Sequence, residues 1–305
     1  MKLYLFNLIF CKMSHYRLKG IVFVSKPKSI TIIISVYKKT ETLRVILDAL
    51  EKQSMPVDEI LVSEDGESSE MKHFVSSLHN PKVKHVTQKD EGWRKNKALN
   101  NAIRNASGEY LIFIDGDVVP HPRFVEGHIY CAKPRRVCAG KRVELGPRYS
   151  QMLIDGKIDI KTLAKRFLFK AYSLHKDGTR HFEDGIYVEP EGWIYQKFIQ
   201  KKTISYLIGC NFSCYKEDIE SINGFDEQYI NPAIGEDVDI NWRFRASGIE
   251  VVSCRNIANV YHLYHKKGFG ANEGLINNKI LNHTIETNQY ICLNGLKKLQ
   301  QGESL

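Results

Sequence analysis

Tyr110-Leu-Ile-Phe-Ile114, running straight into Asp115-Gly-Asp117, is the stretch that decides the fold. Its five apolar residues show no polar alternation, as in a strand covered on both faces of a parallel sheet. Upstream, Ile30-Thr-Ile-Ile-Ile-Ser-Val36 is a second such run, and Glu59-Ile-Leu-Val-Ser63 and Val83–Thr87 read as two more strands. Helical spacing separates them. Thr40 reads as an N-cap ahead of Leu43, Ile46, Leu47 and Leu50. A short helix is expected over residues 70–78. Residues 95–106 place Ala98, Leu99, Ala102 and Ile103 on one face, with Gly108 as the closing glycine. This β-α-β-α-β-α-β order predicts an α/β chain with a doubly wound, mostly parallel central sheet flanked by helices. Ligands of such sheets bind beyond the carboxyl ends of the strands, and Ser35, Tyr37, Asp65 and Asp117 all fall there.

Downstream the pattern is less regular. Helix is expected near residues 160–172, strand over 209–215, helix over Glu236–Ala246, short strands at 251–254 and 259–263, and weak helix over 277–299. An aromatic loop covers 181–195.

The chain has 305 residues and a formal net charge of +9, from 44 Lys and Arg against 35 Asp and Glu. Its hydrophobic fraction of 43% and charged fraction of 26% exclude a disordered, collagenous or coiled-coil chain. The basic surplus fits an anionic partner: a nucleic acid, an anionic membrane or a phosphorylated small molecule. No helix-turn-helix, zinc finger or aromatic RNA-binding stretch is present, so no nucleic-acid partner is expected. Seven cysteines without a C-x-x-C pair point to reduced, buried thiols and a cytoplasmic setting. Residues 3–11 form an apolar run too short to span a bilayer, which suits a peripheral anchor at the inner face of the membrane or an upstream start artefact.

Four clusters carry chemistry. Asp115-Gly-Asp117 turns sharply after a buried strand and offers hard oxygen ligands to a divalent cation; a plain Asx turn is the other reading. Gly235-Glu-Asp-Val-Asp239 opens a helix, where acids either complement the helix dipole or supply a general base, and its three acids cannot share one face. His262-Leu-Tyr-His265 offers two imidazoles as metal ligands or as polar filling. Trp93-Arg94-Lys95, with Lys97, sets cations beside an aromatic ahead of a helix, either to hold a diphosphate or as a solvated helix start.

In order along the chain these blocks resemble the GT-A glycosyltransferases of family 2. Ile32-Ile-Ile-Ser-Val-Tyr37 is similar to the family's opening strand. Leu61-Val-Ser-Glu-Asp-Gly66 stands where the family shows "VDDGS", with Ser63-Glu64 as a departure. Glu91 to Asn100 resembles the nucleotide-contacting segment, and Gly108-Glu-Tyr-Leu-Ile-Phe-Ile-Asp-Gly-Asp117 the "GEYIxFLDxD" block. Asn211-Phe-Ser213, Gly224-Phe-Asp-Glu227 and Gly235-Glu-Asp237 follow the order of members with a galactosyltransferase-like C-terminal half.

The resemblance implies a GT-A fold, a Mn2+ or Mg2+ ion and a UDP-sugar donor. It implies Asp117 as metal ligand with His262 or His265 completing the set, His262 ranked slightly first. Asp115 would meet the ribose or support the metal, Asp65 the uracil edge, and Ser35 and Tyr37 the base pocket. Arg94 and Lys95 would lie near the diphosphate. Asp237 would be the base that deprotonates the acceptor, and Glu236 would bond donor sugar or acceptor. The implied activity is inverting transfer, Gal or GalNAc favoured, to a glycan or lipid-linked glycan in surface polysaccharide synthesis. The alternative is a nucleotidyltransferase acting on a sugar phosphate, although Ser35-Val-Tyr-Lys-Lys-Thr40 lacks the Gly-rich loop that would hold a triphosphate. The expected organisation is an N-terminal extension (1–28), a nucleotide-sugar half (29–135), an acceptor-binding half (136–270) and a helical tail (271–305).

Overall fold

The computed structural model of the protein describes residues 26–200, 206–232, 236–266, 271–300, 303 and 305. The apolar run at 3–11, Gly235 and Lys267 lie outside the described residues.

The first half follows the strand-helix alternation. β1 is Ile30–Val36, α1 Thr40–Glu51, β2 Glu59–Glu64, α2 Ser69–Ser77, β3 Val83–Thr87, α3 Lys95–Asn105 and β4 Tyr110–Asp115. Next come β5 Val118–Pro120, α4 Phe124–Cys131, β6 Arg136–Ala139, β7 Arg142–Glu144 and α5 Pro147–Ile154. α6 is Ile160–Lys165 and α7 Ala171–Lys176; β8 is Asn211–Tyr215 and α8 Lys216–Glu220. α9 is Glu236–Ala246, β9 Glu250–Ser253, β10 Val260–His262 and α10 Ala271–Glu286.

Seven strands form one sheet in the order β3-β2-β1-β4-β8-β6-β9. β8 is its antiparallel member, paired against both β4 and β6; the other pairings are parallel. The predicted mostly parallel α/β architecture is therefore present. The alternation reverses direction at β1, so the ends of β1 and β4 open the crevice in which such sheets bind ligands. Ile32, Ile34 and Ile112 face one apolar layer; Ile33, Leu61, Leu111 and Phe113 face the other. Strands buried on both faces leave no room for polar alternation, which is why these runs were legible as continuous apolar stretches.

A second sheet, β5-β10-β7, lies at the mouth of that crevice. β10 runs antiparallel to β5 and parallel to β7, in a register that sets His262 opposite both Val118 and Glu144. Sequence reading missed β5, β6 and β7. Each is only three or four residues long, too short to express a period.

Several local expectations are corrected. Lys39, not Thr40, is the N-cap of α1, and the Thr40 hydroxyl instead donates to Glu70. Gly108 does not close α3, which ends at Asn105. Its role is close approach: a Cβ there would lie 2.5 Å from the Thr31 hydroxyl and 2.6 Å from the Thr31 nitrogen. The helical stretches expected near 160–172 are α6, a 3-10 turn at Leu168–Lys170 and the start of α7. Strand β8 begins at Asn211 rather than 209, and helix α10 ends at Glu286, with no helix over 287–299. The six cysteines among the described residues are free thiols, and five of them are buried.

A directional hydrogen-bond chain crosses the sheet under β8. The Tyr110 hydroxyl lies 2.7 Å from the Ser213 oxygen, which lies 2.7 Å from His128 Nδ1. His128 Nε2 is 3.0 Å from Asn211 Oδ1, and the Asn211 amide donates to the carbonyls of Lys141 and Ala258. Nδ1 is satisfied as an acceptor and Nε2 as a donor, so the chain calls for a neutral imidazole. Burial pushes the His128 pKa down to about 3. The unfolded chain, with an ordinary imidazole, takes up a proton first as pH falls below about 6.5, so His128 drains stability on acidification.

Two predictions follow from this packing. In denaturant titrations, parent and His128→Gln should differ in pH dependence, with the parent losing about 2.5 kcal/mol more than the variant between pH 7 and 4.5. Parallel curves would exclude a neutral buried His128. Gly108→Ala should lower stability by about 1–3 kcal/mol through overpacking against Thr31, read as a lower denaturation midpoint with unchanged slope.

Candidate active site

The carboxyl ends of β1, β2 and β4 carry Ser35, Asp65 and Asp115. The tight link between β4 and β5 carries Gly116 and Asp117. Gly116 donates its N–H to the Ser35 carbonyl at 2.7 Å, locking the turn against β1. A Cβ on Gly116 would fall 2.8 Å from a Val36 methyl carbon, so the turn requires glycine. The Asp117 carbonyl accepts from Leu263 N at 2.8 Å, which ties the turn to the segment after β10.

That tie brings three ligand groups together. Asp117 Oδ2 lies 3.5 Å from His262 Nε2 and 3.1 Å from His265 Nε2. The two imidazole centroids are 5.0 Å apart, and the ligand atoms of the three residues all lie within 4.8 Å of one another. β10 ends at His262, so the chain bends between the two histidines and both reach the same carboxylate. Asp117 Oδ1 is buried without a hydrogen-bond partner. One carboxylate and two imidazoles fit a divalent transition ion such as Mn2+, and three protein ligands leave positions open for a diphosphate. Burial would raise the Asp117 pKa, but the two imidazoles outweigh it and hold the carboxyl well below its usual range. The hydrogen bond to Asp117 raises the His265 pKa.

Beside this cluster sits Lys95, the first residue of α3. Its ammonium is 2.9 Å from Asp115 Oδ1 and 3.5 Å from Glu236 Oε1. Burial opposes the charge, yet Asp115, Glu236 and Asp237 outweigh it and raise the Lys95 pKa. Burial also raises the carboxyl pKa values of Glu236 and Asp237, with Lys95 partly offsetting both. Glu236 Oε2 is buried and unpartnered.

The acidic triplet of α9 divides as its helical positions require. Glu236 and Asp237 face the cleft. Asp239 turns into the core, where its Oδ2 receives Arg243 Nε at 2.7 Å with both side chains buried. Arg243 also donates to the carbonyls of Ile222 and Gly224. The Gly224-Phe-Asp turn is further held by α3: Asn100 exchanges hydrogen bonds with both backbone groups of Phe225, and Asn96 donates to the Asp226 carbonyl. Asn211, Ser213, Gly224 and Asp226 are thus framework residues, and the framework sets Lys95 against Glu236.

Two clefts meet at the cluster. One, of about 540 Å³, is lined by Ser35, Tyr37, Asp65, Trp93, Lys95, Asp115, Asp117 and His265, together with the cations Lys39 and Lys266. The other, of about 660 Å³, is lined by Glu236, Asp237, Arg142, Glu144, Arg180, Cys210, Tyr264 and His262, and shares Lys95, Asp115, Asp117 and His265 with the first. Asp65 is anchored there: it accepts from Arg94 N at 2.6 Å and from Gln88 Nε2 at 2.8 Å. Tyr37 is half exposed and its hydroxyl donates to Asp90.

Arg94 departs from its expected position. Its guanidinium donates to the Trp93 carbonyl, and its side chain lines neither cleft. Lys97 pairs with Glu91 at 3.7 Å, away from both clefts. Sequence reading missed Arg142, Glu144, Arg180 and Cys210. Arg142 and Glu144 lie two apart on β7 and face the same way, but a three-residue strand gives no pattern from which to infer it.

The chain matches Glycosyl transferase family 2 over residues 31–219 and the N-terminal domain of galactosyltransferase over residues 194–266. It is 25% identical over 230 residues to validoxylamine A glucosyltransferase of Streptomyces hygroscopicus subsp. jinggangensis, covering 74% of this chain and 53% of that protein. It is 30% identical over 104 residues to chondroitin synthase of Escherichia coli, covering 33% of this chain and 15% of that one. The chain spans about half the length of the validoxylamine A glucosyltransferases that it matches. Its fold is similar to that of GalNAc-T7 crystallised with UDP, GalNAc and Mn2+ (TM-score 0.59, 13% identity, 84% of this chain and 48% of that one). It is also similar to a mannosyltransferase of Pyrobaculum calidifontis in complex with GDP-Man and Mn2+ (TM-score 0.51, 17% identity, 87% of this chain and 67% of that one). Strand order, crevice and family match converge on one statement: this chain is a glycosyltransferase of family 2 with the GT-A α/β fold.

Proposed function

We propose that the protein moves a sugar of the Gal or GalNAc type from a UDP-sugar to a hydroxyl of a glycan or lipid-linked glycan, inverting the anomeric centre. The observation that carries this reading is the meeting of Asp117, His262 and His265 with the Lys95–Glu236–Asp237 group where the two clefts join. The family assignment favours sugar transfer over the nucleotidyl alternative.

In this reading the 540 Å³ cleft takes UDP. Asp65, pinned by Gln88 and Arg94 N, presents its remaining lone pairs to the uracil edge; Ser35 and Tyr37 flank the base, and Asp115 meets the ribose. Lys39, Lys95 and Lys266 supply the positive potential that holds a diphosphate. Asp117, His262 and His265 would hold Mn2+ or Mg2+, which when bound offsets charge on the leaving diphosphate. Arg94 has no direct role, since its guanidinium bonds its own neighbour's carbonyl. In the second cleft Asp237 takes the acceptor proton as the acceptor oxygen bonds to the anomeric carbon and the bond to phosphate breaks. Attack from the face opposite the leaving group turns an α-linked donor into a β-linked product. Glu236, held by Lys95, bonds the donor sugar or the acceptor.

The match to a galactosyltransferase domain supports Gal or GalNAc, and the resemblance to chondroitin synthase supports a glycan acceptor. Among the described residues no helix is long and apolar enough to cross a membrane. In our reading a lipid-linked acceptor is met by peripheral contact at the inner face during surface polysaccharide synthesis. The halves 29–135 and 136–270 then serve donor and acceptor respectively.

Asp237→Asn should bind UDP-sugar like the parent while kcat falls by at least about 100-fold; an unchanged kcat would remove Asp237 as the base. Because burial raises the Asp237 pKa, kcat/KM should rise with pH through an acid limb above the ordinary carboxylate value of about 4. Mn2+ should raise the melting temperature of the parent but not of Asp117→Asn, measured without donor. A panel of UDP-galactose, UDP-GalNAc, UDP-glucose and UDP-GlcNAc, read by UDP release with Mn2+, tests the donor; turnover of the gluco sugars alone would overturn the Gal-type assignment.

A further inference from the structure

Residues 160–176 carry a surface that the sugar-transfer site does not use. Lys161, Lys165, Arg166, Lys170 and Lys176 lie within it, and it contains no Asp or Glu. The acids that flank it are spent on backbone. Asp159 caps α6 by accepting from Thr162, and Asp177 accepts from the N–H groups of Arg148 and Tyr149. Among the described residues the five cations form no ion pair; Lys170 and Lys176 lie over the rings of Tyr149 and Tyr172.

The same segment holds large apolar side chains out of the protein. Phe169 is 93% exposed, Tyr172 71% and Leu168 59%. Their base is firmly packed. Phe167, between the cations and the bare tip, is buried, stacks on Phe182 at 4.6 Å and meets Tyr261 of β10 edge-on at 5.4 Å. Leu163 and Leu174 are buried on either side. The exposed side chains are thus fixed outward by their neighbours on the chain. A groove of about 410 Å³ runs behind Phe169, with Lys161 and Lys165 on its wall.

We propose that this segment docks the protein on an anionic lipid bilayer, with Phe169 entering the headgroup region and the five cations facing lipid phosphates. A soluble polyanion would satisfy the cations alone. It would leave Leu168, Phe169 and Tyr172 in water, whereas the interfacial region of a bilayer accepts aromatic tips and basic side chains together. The position suits the chemistry. Gly178 and Arg180, just past α7, line the acceptor-side cleft, so a membrane met at Tyr172 lies about 10 Å along the chain from that cleft, at the rise of one short helix. This use of the surface rests on the lipid-linked acceptor proposed above; the docking itself does not.

The test uses the full chain and co-sedimentation with vesicles of phosphatidylcholine, alone or mixed with phosphatidylglycerol. The parent should pellet with the mixed vesicles, weaken as salt rises, and ignore phosphatidylcholine alone. Phe169→Ser with Tyr172→Ser, and separately Lys161→Gln with Lys165→Gln and Arg166→Gln, should each weaken binding at least about tenfold. Phe169→Trp should be quenched by brominated lipid in mixed vesicles. Unchanged binding in both sets of variants would assign adhesion elsewhere, such as residues 1–25, and overturn the proposal, as would parental binding to heparin but not to vesicles. Melting temperatures equal to the parent's confirm that the variants fold. UDP release without vesicles should be the same in parent and variants. If it is absent from all of them while vesicle binding still depends on Phe169, the sugar-transfer reading fails and the docking stands.

Discussion

A single half-buried ammonium organises the site. Lys95 stands between Asp115 at the end of β4 and Glu236 at the start of α9, with Asp237 beside it. These carboxylates come from distant parts of the chain and would repel one another without it. At separations near 3 Å the gross attraction of each contact is several kcal/mol even at a high effective dielectric. Its net contribution is smaller, because the ammonium and the acids all lose water. The effect is directional as well as energetic: Lys95 joins the start of α3 to the start of α9, where Glu236 and Asp237 lie.

That contact depends in turn on polar framework residues that touch no substrate in the proposed mechanism. Asn96 and Asn100, one and five residues along α3 from Lys95, hold the 224–226 turn by its backbone. The Asp239–Arg243 pair holds the same turn from α9. Asn211 and Ser213 complete the His128 relay under β8. Several blocks that resemble the family's motifs therefore owe their presence to buried backbone groups that need partners. Asp117, Asp115, Glu236 and Asp237 differ from them in keeping oxygen atoms toward a cleft.

The Asp117–His262–His265 cluster shows how a short strand does what local sequence does not announce. His262 ends β10, the middle strand of a three-stranded sheet whose outer members are three residues each. Pairing with β5, directly after Asp117, sets the imidazole near the carboxylate, and a bend past the strand returns His265 to the same oxygen. Spacing alone left open which histidine reaches Asp117; in the folded chain both do.

The apolar runs of β1, β2 and β4, the helix spacing between them and the acids at their ends were legible in sequence, because burial on both faces constrains every position of a parallel strand. From those, the α/β order and the positions of Ser35, Asp65, Asp115 and Asp117 at one edge follow without coordinates. Tertiary structure alone decided which of Glu236, Asp237 and Asp239 faces the cleft, that Arg94 turns away from it, and that Arg142, Glu144 and Arg180 line it. Apart from Arg94, whose guanidinium bonds the neighbouring Trp93 carbonyl, these outcomes depend on contacts between residues tens to more than a hundred positions apart. A local pattern records the face that a residue takes on its own element; it holds no record of what that face meets.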